Sequence, residues 1–587
     1  MLPDDPLCKV LTVDLSRREA RVERRPELVE RALGGAGAAI RLLDEECPQG
    51  AEPLGPHNPI VLAVGPLAGL FPLASKTVAM FKSPLTGNLG ESHAGGRSAV
   101  ALRLAGYGAV VLRGASESPV YLAIHGDKVS FRDASSLWGV RNSATVARVI
   151  RQREPGAGFR SILRIGRAGE RLVPYACVTT ETYRHFGRLG LGAVFGAKKL
   201  KALVIAGHHS LPVADPKGYR EAYKEVHEAA VSSPLMKKYH DLGTPENVLP
   251  LNLLKALPTR NLKEASFEGA GSISGERLAE DFLGRRLACA HCPVGCIHLA
   301  ALREPAEHEP YFYKTSMIGY DYEPIYALGS MLGGSDPRGL LRLMDAIEVV
   351  GLDAMSTGVV LAWATEAMER GLVKPEDAAG LALRWGEYPA YIRAIELIVE
   401  QPNDFYRALA QGVEHAAAKY GGEDFALAFG GLEMPGYHTG PAAHLGFLTG
   451  ARHSHLDSAG YSLDQKAVKA AGLPAPQAAA EALLKEERWR QVLSSLVVCF
   501  FARNIYQPPV VSKALACAGF ALSPEGLARL GADILRAKHA FKEREGFCLG
   551  QLRIPQRILD TPSPLGRIAA EYLREALAAF AAAAQKP

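Results

Sequence analysis

The sequence predicts an α+β protein, β-rich over residues 1–210 and mainly helical from there to the end. Three observations predict it: period-two alternation near the start, a hairpin signal at Gly126-Asp127, and a change of texture after Leu211-Pro-Val-Ala-Asp-Pro216.

Val10, Thr12 and Asp14 alternate with Leu11, Val13 and Leu15, as a half-buried strand requires. Pro59 to Val64, Ala109 to Arg113 and Lys201 to Ala206 are further extended runs, and Pro119 to Ile124 with Lys128 to Phe131 flank the Gly-Asp turn. Glycine is dense here, from Gly34-Gly35-Ala36-Gly37 to Gly95-Gly96 and Gly190, which suits turns or backbone packed close to a ligand. Asp215 before Pro216 reads as a helix start, and Gly339 to Val350, Val359 to Arg370 and Ile568 to Ala584 carry helical periodicity. A Gly/Pro/His-rich interruption at Gly430 to Gly450 suggests a second boundary, so the expected domains are 1–210, 211–420 and 421–587. No solenoid repeat is evident.

The 587 residues leave room for about four units of ~150 residues. With 48% hydrophobic and 22% charged residues the chain is neither disordered nor fibrous, and 67 basic against 62 acidic residues leave no nucleic-acid footprint. Nine cysteines, an odd number on so long a chain, do not resemble a secreted disulfide framework. Met1 to Lys9 lacks the order of a signal peptide, and the longest run free of charge and histidine, Asn58 to Ser75, is broken by three prolines, so a soluble cytoplasmic protein with no membrane span is expected.

The sharpest motif is Cys289-Ala-His-Cys292-Pro-Val-Gly-Cys296. Three soft ligands within eight residues suit an iron–sulfur cluster or zinc. Cys499, in the apolar stretch Leu493 to Phe501, is a reasonable fourth thiolate; a zinc site could instead draw on His291 or His298. Cys8, Cys47, Cys177, Cys517 and Cys548 stand singly and read as packed or solvent thiols.

These features, with Lys9-Val-Leu-Thr-Val-Asp-Leu-Ser16, Lys82-Ser-Pro-Leu-Thr-Gly87, Ser92-His-Ala-Gly-Gly96, Gly187-Arg-Leu-Gly190, Tyr322-Glu323, Gly351 to Gly358, Gly450-Ala-Arg-His453 and Arg544-Glu-Gly-Phe547, resemble the tungsten-containing aldehyde:ferredoxin oxidoreductases nearly end to end. The resemblance implies a first domain of two sheets cradling the pterins, then two mainly helical domains. It implies tungsten or molybdenum held by two pterins, a magnesium ion bridging their phosphates, and a [4Fe–4S] cluster on Cys289, Cys292, Cys296 and Cys499. Phosphorylated pterin tails are dianionic, so their site requires exposed backbone N–H groups and cations; Lys76, His93, Gly95, Gly96, Arg184 and Arg188 fall where the family places such contacts.

Two pterin-facing motifs depart from the family's Asp-x-x-Gly-Leu-Asp/Cys. The first reads Glu348-Val-Val-Gly351-Leu-Asp353, which keeps the charge but lengthens the side chain. The second reads Ser494-Ser-Leu-Val497-Val-Cys499, which loses the charge and replaces a glycine by valine. Lys76 and His93 stand where Arg and Asn are frequent. Asp336 to Glu348 contains no histidine, so the resemblance implies at most a homodimer without the bridging metal some relatives carry.

The resemblance carries a carboxylate onto Glu323 and an imidazole onto His453, as proton acceptor and carbonyl-polarising donor in aldehyde oxidation. The alternatives are a Glu323 paired with a cation and a His453 satisfied in the core. Asp321 and His455 are credible substitutes, His455 also counting among the cofactor contacts; His438 and His444 read as structural or pocket lining. A small aldehyde is the expected substrate. An aromatic acyl-CoA reductase of the benzoyl-CoA type and a non-catalytic cluster-bearing subunit are the competing readings. No dinucleotide fingerprint is present, so electrons must leave to a ferredoxin or an iron–sulfur subunit.

Overall fold

The computed structural model describes residues 2, 4–156, 159–306 and 309–585; of the expected leaderless start, Met1 and Pro3 lie outside them. Two six-stranded sheets fill the first part of the chain. The first runs Glu19–Arg24, Lys9–Asp14, Ala109–Arg113, Ile60–Ala63, Thr77–Lys82, Leu89–Ala94. The second runs His185–Phe186, Val178–Thr179, Ser161–Ile165, Leu200–Ala206, Val120–His125, Lys128–Asp133. The Gly-Asp hairpin forms as expected, with Gly126 at φ 58° and His125 opposite Lys128. Both sheets are mixed, and strands buried on both faces, such as Thr77–Lys82 and Leu200–Ala206, read as near-continuous apolar runs.

Asp215 caps the helix Pro216–Ser232, its side chain accepting from Lys217 N at 3.1 Å. Helices Pro337–Val350, Ala354–Glu369 and Ala570–Ala584 lie where periodicity put them. The second starts five residues before the expected Val359, because Asp353 accepts from Met355 N at 3.1 Å and caps a turn whose small polar residues hide the period.

The helical part nevertheless contains a three-stranded antiparallel sheet, Leu283–Leu287, Ile297–Ala306 and Glu309–Tyr320. The sequence reading missed it because four consecutive residues, Ile297 to Ala300, are buried and erase the alternation. No break in packing falls at residue 420, since one core runs from Phe405 through Leu448.

Helix Pro476–Ser495 joins the two large cores: Leu483 and Leu484 belong to one, Val492 and Leu493 to the other. Its last turn abuts the glycine turn that opens helix Gly35–Glu46. Gly37 N donates to Ser495 Oγ at 3.0 Å, so a hydroxyl from one helix end satisfies an unpaired N–H of the other. Gly35 has φ 42°, and a Cβ there would meet the carbonyl oxygens of Ser494 and Ser495, the latter at 2.6 Å. Backbone atoms cannot rotate away, so Gly35→Ala is expected to destabilise the chain by about 2–3 kcal/mol, read as a lowered denaturant midpoint with the slope unchanged.

Candidate active site

The three clustered cysteines occupy the loop between paired strands Leu287 and Ile297. Two main-chain bonds tie that loop to Cys499: Leu73 N donates to His291 O at 3.2 Å, and Cys499 N donates to Leu73 O at 2.8 Å. Ala290 N donates to Gly96 O at 2.9 Å, and a Cβ on Gly95 would stand 2.9 Å from Cys289 Sγ, so the glycine pair gives the thiol its room.

All four thiols are partly buried. Burial pushes Cys292 up to about 12, with Cys289 and Cys499 adding to the shift. Cys296 is pushed higher still by burial, Arg184 opposing and the other three cysteines reinforcing it. The four thiols therefore lie close enough to act on one another, and a strongly cationic guest would favour the thiolate forms of Cys292 and Cys296. His298 is committed to main-chain oxygens, with Nδ1 3.1 Å from Cys296 O and Nε2 3.0 Å from His240 O. With His298 committed elsewhere, the donors are four thiols, a set that suits a multi-iron cluster or a four-cysteine zinc site.

Arg184 lies against the cysteine loop and bonds Asp321 Oδ2 at 2.6 Å. Burial works against its charge, but Asp321, then Cys296 and Cys289, hold its pKa above the usual value. Arg188 donates from Nε to Asp353 Oδ2 at 3.1 Å and from Nη2 to Glu433 O at 2.7 Å, leaving Nη1 buried without a partner. That spare donor is what an anionic cofactor tail would satisfy. Lys76 donates its N–H to Val497 O at 3.2 Å and holds its ammonium 5.7 Å from the Phe500 ring centre.

His93, expected among the cofactor contacts, bonds instead to Glu91, Nε2 to Oε1 at 2.7 Å. Burial pushes its pKa down to about 4 despite that carboxylate, whose second oxygen takes Lys538 Nζ at 2.5 Å. Glu348 pairs with His185 at 2.6 Å, and Asp353 caps its helix while accepting from Ser356 Oγ at 2.7 Å. These two carboxylates, His185 and Glu323 line one cavity of about 150 Å³. Ser494 is buried at the helix end against Gly35. Val497 adopts φ 56°, a left-handed conformation costly for a β-branched residue, so the loop keeps there a shape that glycine adopts freely.

Glu323 stands in the first turn of helix Tyr322–Leu328. Its Oε1 lies 3.1 Å from His455 Nε2 and accepts from Tyr437 Oη at 3.2 Å. Burial pushes this carboxyl up, but the His455 bond and charge, then Tyr437, outweigh it and hold the pKa below the usual value. Tyr437 stacks on Tyr461 with ring centres 4.6 Å apart, and His455 Nδ1 is buried with no partner.

His453, expected as the carbonyl-polarising donor, is bonded elsewhere. His453 donates from Nδ1 to Phe447 O at 2.9 Å and accepts from Lys542 Nζ at 2.9 Å, so both ring nitrogens are spent. The cause is local: His453 has φ 54°, and Ser454 and Asp457 form a reciprocal cap immediately after it, which turns His453 and His455 into different surroundings. Asp321 is no substitute for Glu323, being held by Arg184 and by Thr244 Oγ1 at 3.2 Å. His438 and His444 bond each other at 2.9 Å as buried structural groups. Sequence reasoning missed Tyr437; its position between Gly436 and His438 carries no local signal.

Burial pushes Lys542 down to about 7, Asp457 and Glu487 only partly opposing. Above that pH the folded state releases a proton that the unfolded chain keeps up to the ordinary value of 10.5, so this residue's destabilising effect is relieved as pH rises. The stability of the unaltered chain minus that of Lys542→Met is expected to grow from pH 7 to 10, measured as paired urea midpoints.

The chain matches two family descriptions: "Aldehyde ferredoxin oxidoreductase, N-terminal domain" over residues 10–207 and "Aldehyde ferredoxin oxidoreductase, domains 2 & 3" over 221–582. It is 32% identical over 574 residues to a tungsten-containing aldehyde ferredoxin oxidoreductase of Thermococcus kodakarensis, covering 95% of this chain and 92% of that one. An aliphatic sulfonate oxidoreductase, WOR-like subunit, of Pyrococcus furiosus is 30% identical over 427 residues, covering 70% of this chain and 67% of that one. Among solved structures, the active-site complex of benzoyl coenzyme A reductase with 1,5-dienoyl-CoA shares the fold, at TM-score 0.84 and 22% identity over 99% of this chain and 94% of that one. With both family descriptions matched across nearly its whole length, the chain is an enzyme of the aldehyde ferredoxin oxidoreductase family.

Proposed function

We propose that the protein oxidises a small aldehyde to a carboxylic acid at a tungsten or molybdenum bis-pterin, and passes the electrons through a [4Fe–4S] cluster to a ferredoxin or an iron–sulfur subunit. The observation that carries the reading is Glu323, held by His455 and Tyr437 at a cavity whose other carboxylates are Glu348 and Asp353. Cys289, Cys292, Cys296 and Cys499 would hold the cluster. Lys76, Arg184 and Arg188 would hold the phosphorylated pterin tails, with a magnesium ion bridging the phosphates in the same reading.

The bound metal and cluster supply the acceptor for two electrons. This chain supplies the rest of the balance, in which aldehyde and water become acid, two electrons and two protons. Glu323, kept ionised, accepts a proton from the attacking water, and His455 takes the polarising role that the sequence had assigned to His453. The Tyr322, Tyr437 and Tyr461 rings restrict water around that proton. The valine at 497 does not favour the cluster-only reading, because the loop that carries Cys499 keeps its left-handed turn. Reduction of an aromatic acyl-CoA is the second reading, supported by the shared fold. No described helix is long and apolar enough to cross a membrane.

Purified without oxygen, the protein is expected to contain about four irons per chain together with tungsten or molybdenum. Cys499→Ser should lose the iron and Cys177→Ser should keep it, since Cys177 is buried against Leu352 O, away from the loop. Zinc in place of iron would remove the reading. Glu323→Gln and His455→Asn should each lower turnover by roughly 10²–10⁴ with metal content unchanged. Near-normal rates in Glu323→Gln would return that carboxylate to a structural role.

A further inference from the structure

The loop of Cys289, Cys292 and Cys296 comes to the surface. His291 is exposed, and its ring meets that of Phe159, itself 42% exposed, edge-on at 6.0 Å. Beside Cys499, the half-buried rings of Tyr239 and Phe501 stack with centres 4.0 Å apart. Aromatic groups therefore flank the thiols, and all four thiols are only partly buried.

The segments fastened to this loop are basic. Arg285 and Arg286 are exposed on strand Leu283–Leu287, which runs directly into the loop. His240 bonds Val294 O through Nδ1 at 2.7 Å, and Arg286 Nη2 donates to Asp241 O at 3.2 Å. These two bonds hold helix Pro234–Asp241, with Lys237 and Lys238, against the loop. Arg503 follows Cys499 and lies in contact with Tyr239.

Against Lys237, Lys238, Arg285, Arg286 and Arg503, residues 234–241, 283–298 and 499–503 hold one carboxylate, Asp241, whereas the whole chain has 67 basic and 62 acidic residues. Asp241 pairs with Lys237, and Lys238 reaches Glu246 at 3.6 Å, so the face stays net positive through its arginines. Beneath it Arg184 and Asp321 offset each other, and the nearby Glu181 is bonded to Ser161 Oγ and Ile162 N. An aromatic centre inside a charged rim is the anatomy of a protein interface, and a rim of one sign selects a partner of the other. No residue of the Glu323 site uses this rim.

We propose that this face docks a small acidic protein carrying a one-electron centre, with Arg285, Arg286 and Arg503 on the rim and His291, Phe159 and Phe501 at the middle. The inference deepens the reading given above for the electron partner, and rests on it for a redox cluster held by the four cysteines. Each encounter moves one electron, oxidising the cluster and reducing the partner, so the two electrons of one aldehyde leave in two encounters. Charge steers such an encounter, which is fast at low salt and slowed as salt screens the rim. A contact of this kind is small and short-lived, as redox encounters are.

The anaerobically purified holoenzyme can be titrated into a dye-labelled acidic [4Fe–4S] ferredoxin, with anisotropy followed at rising salt. The expected result is binding that weakens with salt and is about tenfold weaker in Arg285→Glu and in Arg286→Glu, with kcat/KM for that ferredoxin falling by about the same factor and iron content unchanged. Benzyl viologen, a small cation that needs no docking face, should be reduced at the unaltered rate by both variants. Ferredoxin binding and turnover that ignore both charge reversals would overturn the proposal, as would equally tight binding of a basic carrier such as a cytochrome c. Salt-sensitive binding with no aldehyde-driven reduction of either acceptor would sink the aldehyde reading and leave the docking face in place. A protein without iron would remove the cluster and this proposal together.

Discussion

The site depends on the main chain of Leu73. Through one N–H and one C=O it ties the loop of Cys289, Cys292 and Cys296 to the loop of Cys499, two segments far apart in sequence. Lys76, three residues on, continues the seam by donating to Val497 O. Backbone groups cannot be lost by substitution, so this stitching tolerates side-chain change on either side. That explains how Ser494 and Val497 can stand in a motif where a charge and a glycine are usual without the loop changing course. The strain of Val497 at φ 56° is supported by its full burial in the core that also contains Leu493, Leu496 and Val498.

Electrostatics then separates the functions. Around the cysteines, burial raises the Cys292 and Cys296 thiols, while Arg184, held by Asp321, opposes the shift at Cys296. At Glu323 the balance is reversed: burial alone would protonate the carboxyl, and His455 and Tyr437 keep it ionised. A third set is buried as two ion pairs, Glu91 with Lys538 and Arg452 with Asp457, and Lys542 lies buried near them on His453 Nε2 and Ala451 O. His453 lies beside this set, and burial, with the Lys542 ammonium adding, pushes its pKa down to about 3.

Much of this was legible in the sequence. The strand-rich start, the hairpin, the helix start at Asp215 and the three-cysteine run all follow from period, turn chemistry or spacing, because each is a local rule. What escaped was non-local. Two histidines two residues apart look equivalent in a string, and only the left-handed turn at His453 followed by the Ser454–Asp457 cap separates them. Tyr437 reaches Glu323 across more than a hundred residues, a contact no window can contain. The sheet beginning at Leu283 was hidden because a strand buried on both faces loses its alternation.

The Leu73 seam also sets an order of events during biogenesis. Cys296 and Cys499 are separated by roughly two hundred residues, and Cys499 lies just beyond helix Pro476–Ser495, whose two halves sit in different cores. The ligand set is therefore incomplete until most of the chain has been synthesised and both cores have closed on that helix. In the proposed reading a cluster would meet only three of its four thiols until the segment carrying Cys499 has folded against both cores.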